Sequence, residues 1–292
     1  MHRNRIRGQR QKTMTMRGRL IQLCAALLYN LNLKGFAEAS IYKGRSKGLC
    51  VPGLNCYSCP GAVGSCPLGT LQNALSAMDR KLPFYILGVL LLFGVTMGRT
   101  ICGFLCPFGL VQELLYRIPV PKIKKNRVTQ ELSKVKYVIL AVFVIILPVV
   151  FKAASGLPVP AFCKYICPAG TLEGGIPLVL LDDSLSGLAG ALFHWKVLVL
   201  AVILVSACFL YRSFCRILCP LGAIYSLFTP VALLGVRIDR DTCVDCGRCV
   251  RTCKMDVRQV GDRECIQCGE CMKECNVDAI YWKKPWDVKS KK

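Results

Sequence analysis

Eight cysteines toward the C-terminus repeat one spacing, C-x2-C-x2-C-x3-C: Cys243, Cys246, Cys249 and Cys253, then Cys265, Cys268, Cys271 and Cys275. Thiolates at these intervals hold four-iron cubanes, and in the two-cluster arrangement the fourth cysteine of each run ligates the other cluster. One cluster is therefore expected on Cys243, Cys246, Cys249 and Cys275, and the second on Cys265, Cys268, Cys271 and Cys253. Zinc sites use paired C-x2-C knuckles instead. A disulfide framework belongs to small secreted domains in oxidising compartments. Such clusters move single electrons, so the chemistry pointed to is electron transfer. Lys254 and Asn276 follow the fourth cysteines, where proline is common; this bears on local rigidity, not on ligation.

Further cysteines fall in four copies of C-P-x-G, beginning at Cys66, Cys106, Cys167 and Cys219. In the last three another cysteine stands four positions earlier, at Cys102, Cys163 and Cys215, whereas the first has Cys56 and Cys59 upstream and Ala62 at the matching position. Repetition after successive apolar segments signals internal duplication. Proline suits the first position of a helix, whose N-terminus favours a thiolate, and the glycine lets backbone approach the sulfur. Two uses of these residues stay open. One is ligation of one or two further [4Fe–4S] clusters, by Cys102, Cys106, Cys215 and Cys219 in one place and by Cys56, Cys59, Cys66, Cys163 and Cys167 in another. The other is a tight helix–turn packing motif, with small buried cysteines or a redox-active thiol pair. Cys24 and Cys208 lie inside apolar stretches and read as inert core residues; Cys50 is available for a disulfide with a spare cysteine.

The elements that must position these groups are mostly apolar. Hydrophobic residues make up 53% of the chain and mean hydropathy is +0.44, values of a membrane protein. Stretches Leu20–Leu33, Phe84–Gly98, Tyr137–Phe151 and Val197–Tyr211 are the candidate spans, each shorter than the roughly 20 residues of a spanning helix unless its flanks extend it. The expected fold is mainly α: a four-helix transmembrane bundle (20–236), preceded by a basic N-terminus (1–19), then an α+β two-cluster bacterial ferredoxin-like domain (237–282) and a basic tail (283–292). Cations crowd the N-terminus, from Arg3 to Arg19, and the loop from Arg117 to Lys136. The positive-inside rule then places both termini and that loop in the cytoplasm, with the protein multi-pass in a bacterial cytoplasmic membrane. The net charge of +22 is explained by this topology and by anionic lipid, without nucleic acid. Successive motifs then alternate sides, placing the Cys102 set at the inner membrane face and the Cys56 set at the outer.

Cys56-Tyr57-Ser58-Cys59-Pro60, the repeated C-x3-C-P motifs and the two-cluster tail resemble the membrane-bound polyferredoxin family of the NapH type, a quinol dehydrogenase ferredoxin subunit. The likeness spans roughly residues 15–280 and specifies the family better than the pathway. It implies four transmembrane helices, cytoplasmic [4Fe–4S] clusters and exchange of electrons with quinone. The expected function is a relay between the quinone pool and a partner redox protein. A redox assembly or regulatory factor for metalloenzyme maturation is the alternative, and a structural zinc scaffold is disfavoured by the tail spacing. Quinol oxidation needs a proton acceptor, for which His194, Glu113 and Glu173 are the candidates; His194 beside Trp195 otherwise reads as incidental to an interfacial anchor, and Glu113 and Glu173 as solvated. The sequence has no C-x-x-C-H for haem, no G-x-G-x-x-G and no G-x-x-x-x-G-K-[ST].

Overall fold

The computed structural model describes residues 18–76, 84–123, 125–182, 187 and 190–283. The basic segments 1–17 and 284–292, with Arg3 to Arg17, and Lys124 within the loop lie outside the described residues. The chain is mainly helical. In chain order the principal elements are α1 (Gly18–Tyr29), α2 (Pro67–Ser76), α3 (Phe84–Met97), α4 (Pro107–Leu115), α5 (Arg127–Ser155), α6 (Gly170–Leu181), α7 (Ala191–Phe209) and α8 (Pro220–Phe228). A small domain follows, made of β1 (Gly235–Ile238), α9 (Arg248–Thr252), α10 (Glu270–Glu274) and β2 (Ile280–Lys283).

Local chemistry sets these boundaries. Asn126 caps α5, its side chain accepting from Arg127 N (2.7 Å), while Thr129 Oγ1 accepts from Asn126 N (3.1 Å); this reciprocal cap satisfies free donors of the first turn. The helix ends at Gly156, whose φ of 70° suits glycine. Among the described residues both wide-turn stretches end two positions before a proline: Leu140–Ile146 before Pro148, and Gly170–Gly175 before Pro177. A proline donates no hydrogen bond to the preceding turn, and the widened helix absorbs the misfit.

Two of the four expected spans fall in helices long and apolar enough to cross a membrane, Arg127–Ser155 and Ala191–Phe209. The other two correspond to shorter helices, Gly18–Tyr29 and Phe84–Met97, so the structure departs from four full-length helices. The first stops where Asn30 turns its amide onto Ala26 O (2.9 Å) and Asn55 Oδ1 (2.9 Å). The second stops at Gly98, with φ 51°, where an added Cβ would stand 3.1 Å from Thr229 Cα. Between them run half-length helices: α2, α4 and α8 have 10, 9 and 9 residues, or about 15 Å at 1.5 Å per residue. α2 packs on α3 and the second half of α5, and α8 on α3 and the first half, where Tyr137 meets Ser226 across 2.7 Å. Only 17% of each long apolar window is buried, leaving Val138, Leu198, Val202 and Val205 outward-facing.

The C-terminal domain opens and closes on one antiparallel ribbon, with Val236 opposite Trp282 and Ile238 opposite Ile280. It docks on the helical domain through buried charge: Arg99 Nη1 and Lys136 Nζ reach Glu264 at 2.8 and 2.5 Å, and Arg216 pairs with Asp256.

Candidate iron–sulfur centres

Each C-P-x-G motif starts a helix as its sequence predicts, with proline at the first helical position after Cys106 and Cys219. The fourth residue closes the turn on the sulfur, Gly222 N donating to Cys219 Sγ at 3.3 Å. A Cβ on Gly222 or Gly109 would stand 3.2 Å from Cys215 O or Cys102 O, so glycine also admits the partner cysteine's turn. Those turns are the short helices Thr100–Phe104, Ala161–Tyr165 and Ser213–Ile217.

The four motifs pair second with fourth and first with third. Cys102, Cys106, Cys215 and Cys219 are all buried and lie within electrostatic reach of one another. Cys56, Cys66, Cys163 and Cys167 line one cavity of about 320 Å³. Gly69 and Gly170 also line it, and a Cβ on Gly170 would stand 3.7 Å from Cys56 Sγ and 3.8 Å from Cys167 Sγ. Cys59 is left out of this lining: its sulfur turns toward Asn30 Oδ1 (3.5 Å).

In the C-terminal domain one cavity of about 300 Å³ is lined by Cys243, Cys246, Cys249 and Cys275, and a tighter one of about 30 Å³ by Cys253, Cys265, Cys268 and Cys271. These are the two sets into which the crossed spacing divides the eight cysteines. Both runs bend in the same way, with left-handed residues Asp245 and Gly247 in one and Gln267 and Gly269 in the other, so that the backbone turns around its cavity. The residues after the fourth cysteines tie the runs together, Lys254 pairing with Glu270 and Asn276 accepting from Arg248. Burial, and Glu270 after it, push the Cys268 thiol up to about 12, and burial pushes Cys253 to about 11; ligation must displace these protons.

Among the described residues no three His, Cys, Asp or Glu close on a single metal ion. Thiolates around one zinc sit about 2.3 Å from it, whereas a four-iron cluster holds its four farther apart. The sets at Cys56 and Cys243, ringing cavities of about 320 and 300 Å³, have the room that a cluster needs.

The two helical-domain sets lie too close together for the opposite faces expected of them. Gly53 abuts Cys106, its added Cβ falling 3.2 Å from Cys106 Cα, and three residues later Cys56 lines the other cavity. Three residues span at most about 11 Å, far less than the roughly 30 Å hydrocarbon thickness. The reason is the half-helices α2, α4 and α8, which are too short to separate the sets further. Tyr225, fully buried, donates to Pro52 O (3.0 Å) and pins this bridging segment. The Cys102 set meets the C-terminal domain through Gly103, whose Cβ would collide with Ile266 O at 2.5 Å.

Several side chains that contact these cysteines escaped the sequence reading. Arg99 and Arg212, both fully buried, each donate to the carbonyl of the opposite motif's first cysteine, Cys215 and Cys102. Gln72 and Gln112 bond cysteine sulfurs. The signals were present: R-x2-C-x3-C-P recurs at Arg99 and Arg212, and Gln72, Gln112, Glu173 and Tyr225 each stand six residues past a C-P cysteine. Glu113 and Glu173 are half-buried and partnered rather than freely solvated. Glu113 pairs with Arg212 and accepts from Tyr211 Oη (2.7 Å), and Glu173 accepts from Cys56 N (2.7 Å). Cys24 is exposed, not core, and Cys208 half-buried; Cys50 faces Thr70 Oγ1 at 3.6 Å instead of another sulfur. His194 is exposed, resting on Gly190 O.

A family model described as a 4Fe-4S binding domain matches residues 65–85, 82–126, 137–176 and 192–237, one C-P-x-G motif in each. An uncharacterized protein of Methanocaldococcus jannaschii is 29% identical over 173 residues, 58% of this chain and 64% of its own. The putative electron transport protein YccM of Escherichia coli is 23% identical over 66% of this chain and 54% of its own. The methylamine utilization ferredoxin-type protein MauN of Paracoccus denitrificans is 26% identical over 66% and 62%. The chain thus spans less than two thirds of the length of these relatives. No solved structure matches.

Proposed function

The chain belongs to the 4Fe-4S binding domain family, and from that premise we propose that it is a membrane-embedded relay of four clusters, passing single electrons between the quinone pool and a partner redox protein. Its iron–sulfur, electron-transfer character rests on the family and on its ferredoxin-type relatives. The relay reading is carried by one observation: sixteen of the 20 cysteines group as four sets of four, each drawn from two separate motifs.

The clusters, when bound, supply reversible one-electron chemistry. The protein's part is to order the sites and dry them. Pro52–Cys56 touches the Cys102 set at one end and the Cys56 set at the other. Gly103 and Ile266 join the Cys102 set to the C-terminal domain, and α9 packs against α10 between the two sets there. Arg99, Arg212 and Arg216, all buried, place positive charge beside anionic sulfur, an arrangement that favours deprotonated thiolate ligands.

The unburied faces of α5 and α7 support lipid as the surrounding medium, because a core helix of a soluble protein would be mostly covered. On this reading the half-helices meet at membrane depth, where irregular backbone is tolerated when enclosed by protein. The N-terminus and the C-terminal domain share the cytoplasmic side, by the cation bias of their loops. The NapH-type resemblance supports quinol as the electron source. Quinone, partner protein and lipid are the interactions expected; nucleic acid is not among them.

Anaerobic purification tests the relay. About 16 iron atoms per chain correspond to four cubanes and about 8 to the C-terminal pair alone; stoichiometric zinc would replace the relay by a scaffold. Reduction of the clusters by quinol separates the relay from a redox assembly factor, which would show none. In a Cys102→Ser, Cys215→Ser variant one paramagnetic signal should vanish while the C-terminal signals persist.

A further inference from the structure

The two helical-domain sets share a device that the ligand spacing does not contain. Gln112, fully buried on α4, donates from Nε2 to Cys215 Sγ (3.1 Å) and to Phe108 O (3.3 Å), while its Oε1 accepts from Phe214 N (3.0 Å). Gln72, fully buried on α2, donates to Cys163 Sγ (3.3 Å) and Leu68 O (3.3 Å), and accepts from Phe162 N (2.9 Å). Every contact has its counterpart: an amide one and a half turns past one motif's cysteine reaches across to the first cysteine of the paired motif and to the residue before it. A buried amide oriented by two backbone bonds has a single choice of which way its N–H₂ points. Here both carbonyl oxygens are claimed by a backbone N–H, so both amide nitrogens face sulfur.

The surroundings then differ. At the Cys102 set, Arg99 and Arg212 bond the carbonyls of Cys215 and Cys102. The corresponding positions in the first and third motifs are Cys59 and Pro160, which carry no charge; the cation lining that cavity is the half-buried Lys196, and Glu173 lies against Cys56. Hydrogen bonds to ligand sulfurs and local charge are what set a cluster's reduction potential within one cluster type.

Resting on the cluster assignment above, we propose that Gln72 and Gln112 are positioning residues that each tune the potential of one helical-domain centre. Each donates to a ligand sulfur and so stabilises the reduced, more negative state of its own centre. Two fully buried guanidiniums, Arg99 and Arg212, raise the centre on Cys102, Cys106, Cys215 and Cys219, whereas one half-buried ammonium, Lys196, opposed by Glu173, faces its companion, so a matched pair of sites is held at two unequal potentials. The single electron they exchange then rests on that centre in preference to the one on Cys56, Cys66, Cys163 and Cys167; one centre is oxidised by one unit as the other is reduced by one.

The test is a redox titration monitored by electron paramagnetic resonance on the iron-loaded full chain, with iron counted in every sample. Gln112→Met should move one helical-domain signal to more negative potential and leave its companion in place, with iron unchanged; Gln72→Met should move the companion alone. Fully loaded variants with both potentials at wild-type values would overturn the proposal while leaving the four-cluster reading intact. Wild-type protein with about 8 irons would instead remove the reading on which it rests. If a methionine variant fails to retain iron, Gln112→Glu keeps the acceptor for Phe214 N and withdraws the neutral amide donor. The same negative shift is expected from it, and no shift there counts against the proposal.

Discussion

Cys56 and Cys59 stand three residues apart and meet different surroundings. The first lines the cavity with Cys66, Cys163 and Cys167; the second faces Asn30 and is 3% exposed. Cys56→Ser should therefore cost about four iron atoms per chain and Cys59→Ser none, read by iron analysis of anaerobic preparations. Equal losses from both would mean that Cys59 enters the site. Residue identity alone could not divide five candidate thiols into four and one, because spacing says nothing about where a loop residue turns. Glu113 shows the same limit. Its carboxylate sits on a buried arginine from a motif about a hundred positions away in sequence, a partner no local pattern names.

At the level of elements, the helix starts at the C-P-x-G motifs and the crossed grouping of the tail cysteines were legible, since proline geometry and ligand spacing are local. So was the grouping of second motif with fourth. Depth was not legible. The expectation of opposite faces assumed full-length helices throughout, whereas α3 stops at Gly98 and α2 and α8 have only 10 and 9 residues. In the small domain the matched left-handed positions are the most exacting elements. Gly247 has φ 66° with open space around it, so Gly247→Ala meets backbone strain and no clash. The expected cost is about 1–2 kcal/mol, visible as a lower midpoint for thermal loss of cluster absorbance. An unchanged midpoint would show that the loop relaxes elsewhere.

At the scale of the whole molecule, the attachment of the C-terminal domain depends on ionisation. Burial raises the Glu264 carboxyl, but Arg99 and Lys136 outweigh it and hold it below the usual carboxylate range. A group depressed in the folded state stabilises at pH above its unfolded value, about 4.3 for glutamate, and loses that contribution as pH falls through the folded value. Hydrogen exchange in 237–282 should therefore accelerate on acidification below about pH 4, and Glu264→Gln should show fast exchange already at neutral pH. A variant as protected as wild type would place the attachment elsewhere, with Arg216 and Asp256 as the next pair to examine.

The crossed pairing of motifs has a consequence for how such a molecule is put together. Each cysteine set in the helical domain takes one motif from the first half of the chain and one from the second, so neither half holds a complete set. The seam between halves runs through both sites, as it would in a dimer of shorter ancestors later joined end to end. Fragments divided at the 117–126 connection and produced together should reassemble and load the missing iron, whereas either fragment produced by itself should lack both helical-domain centres.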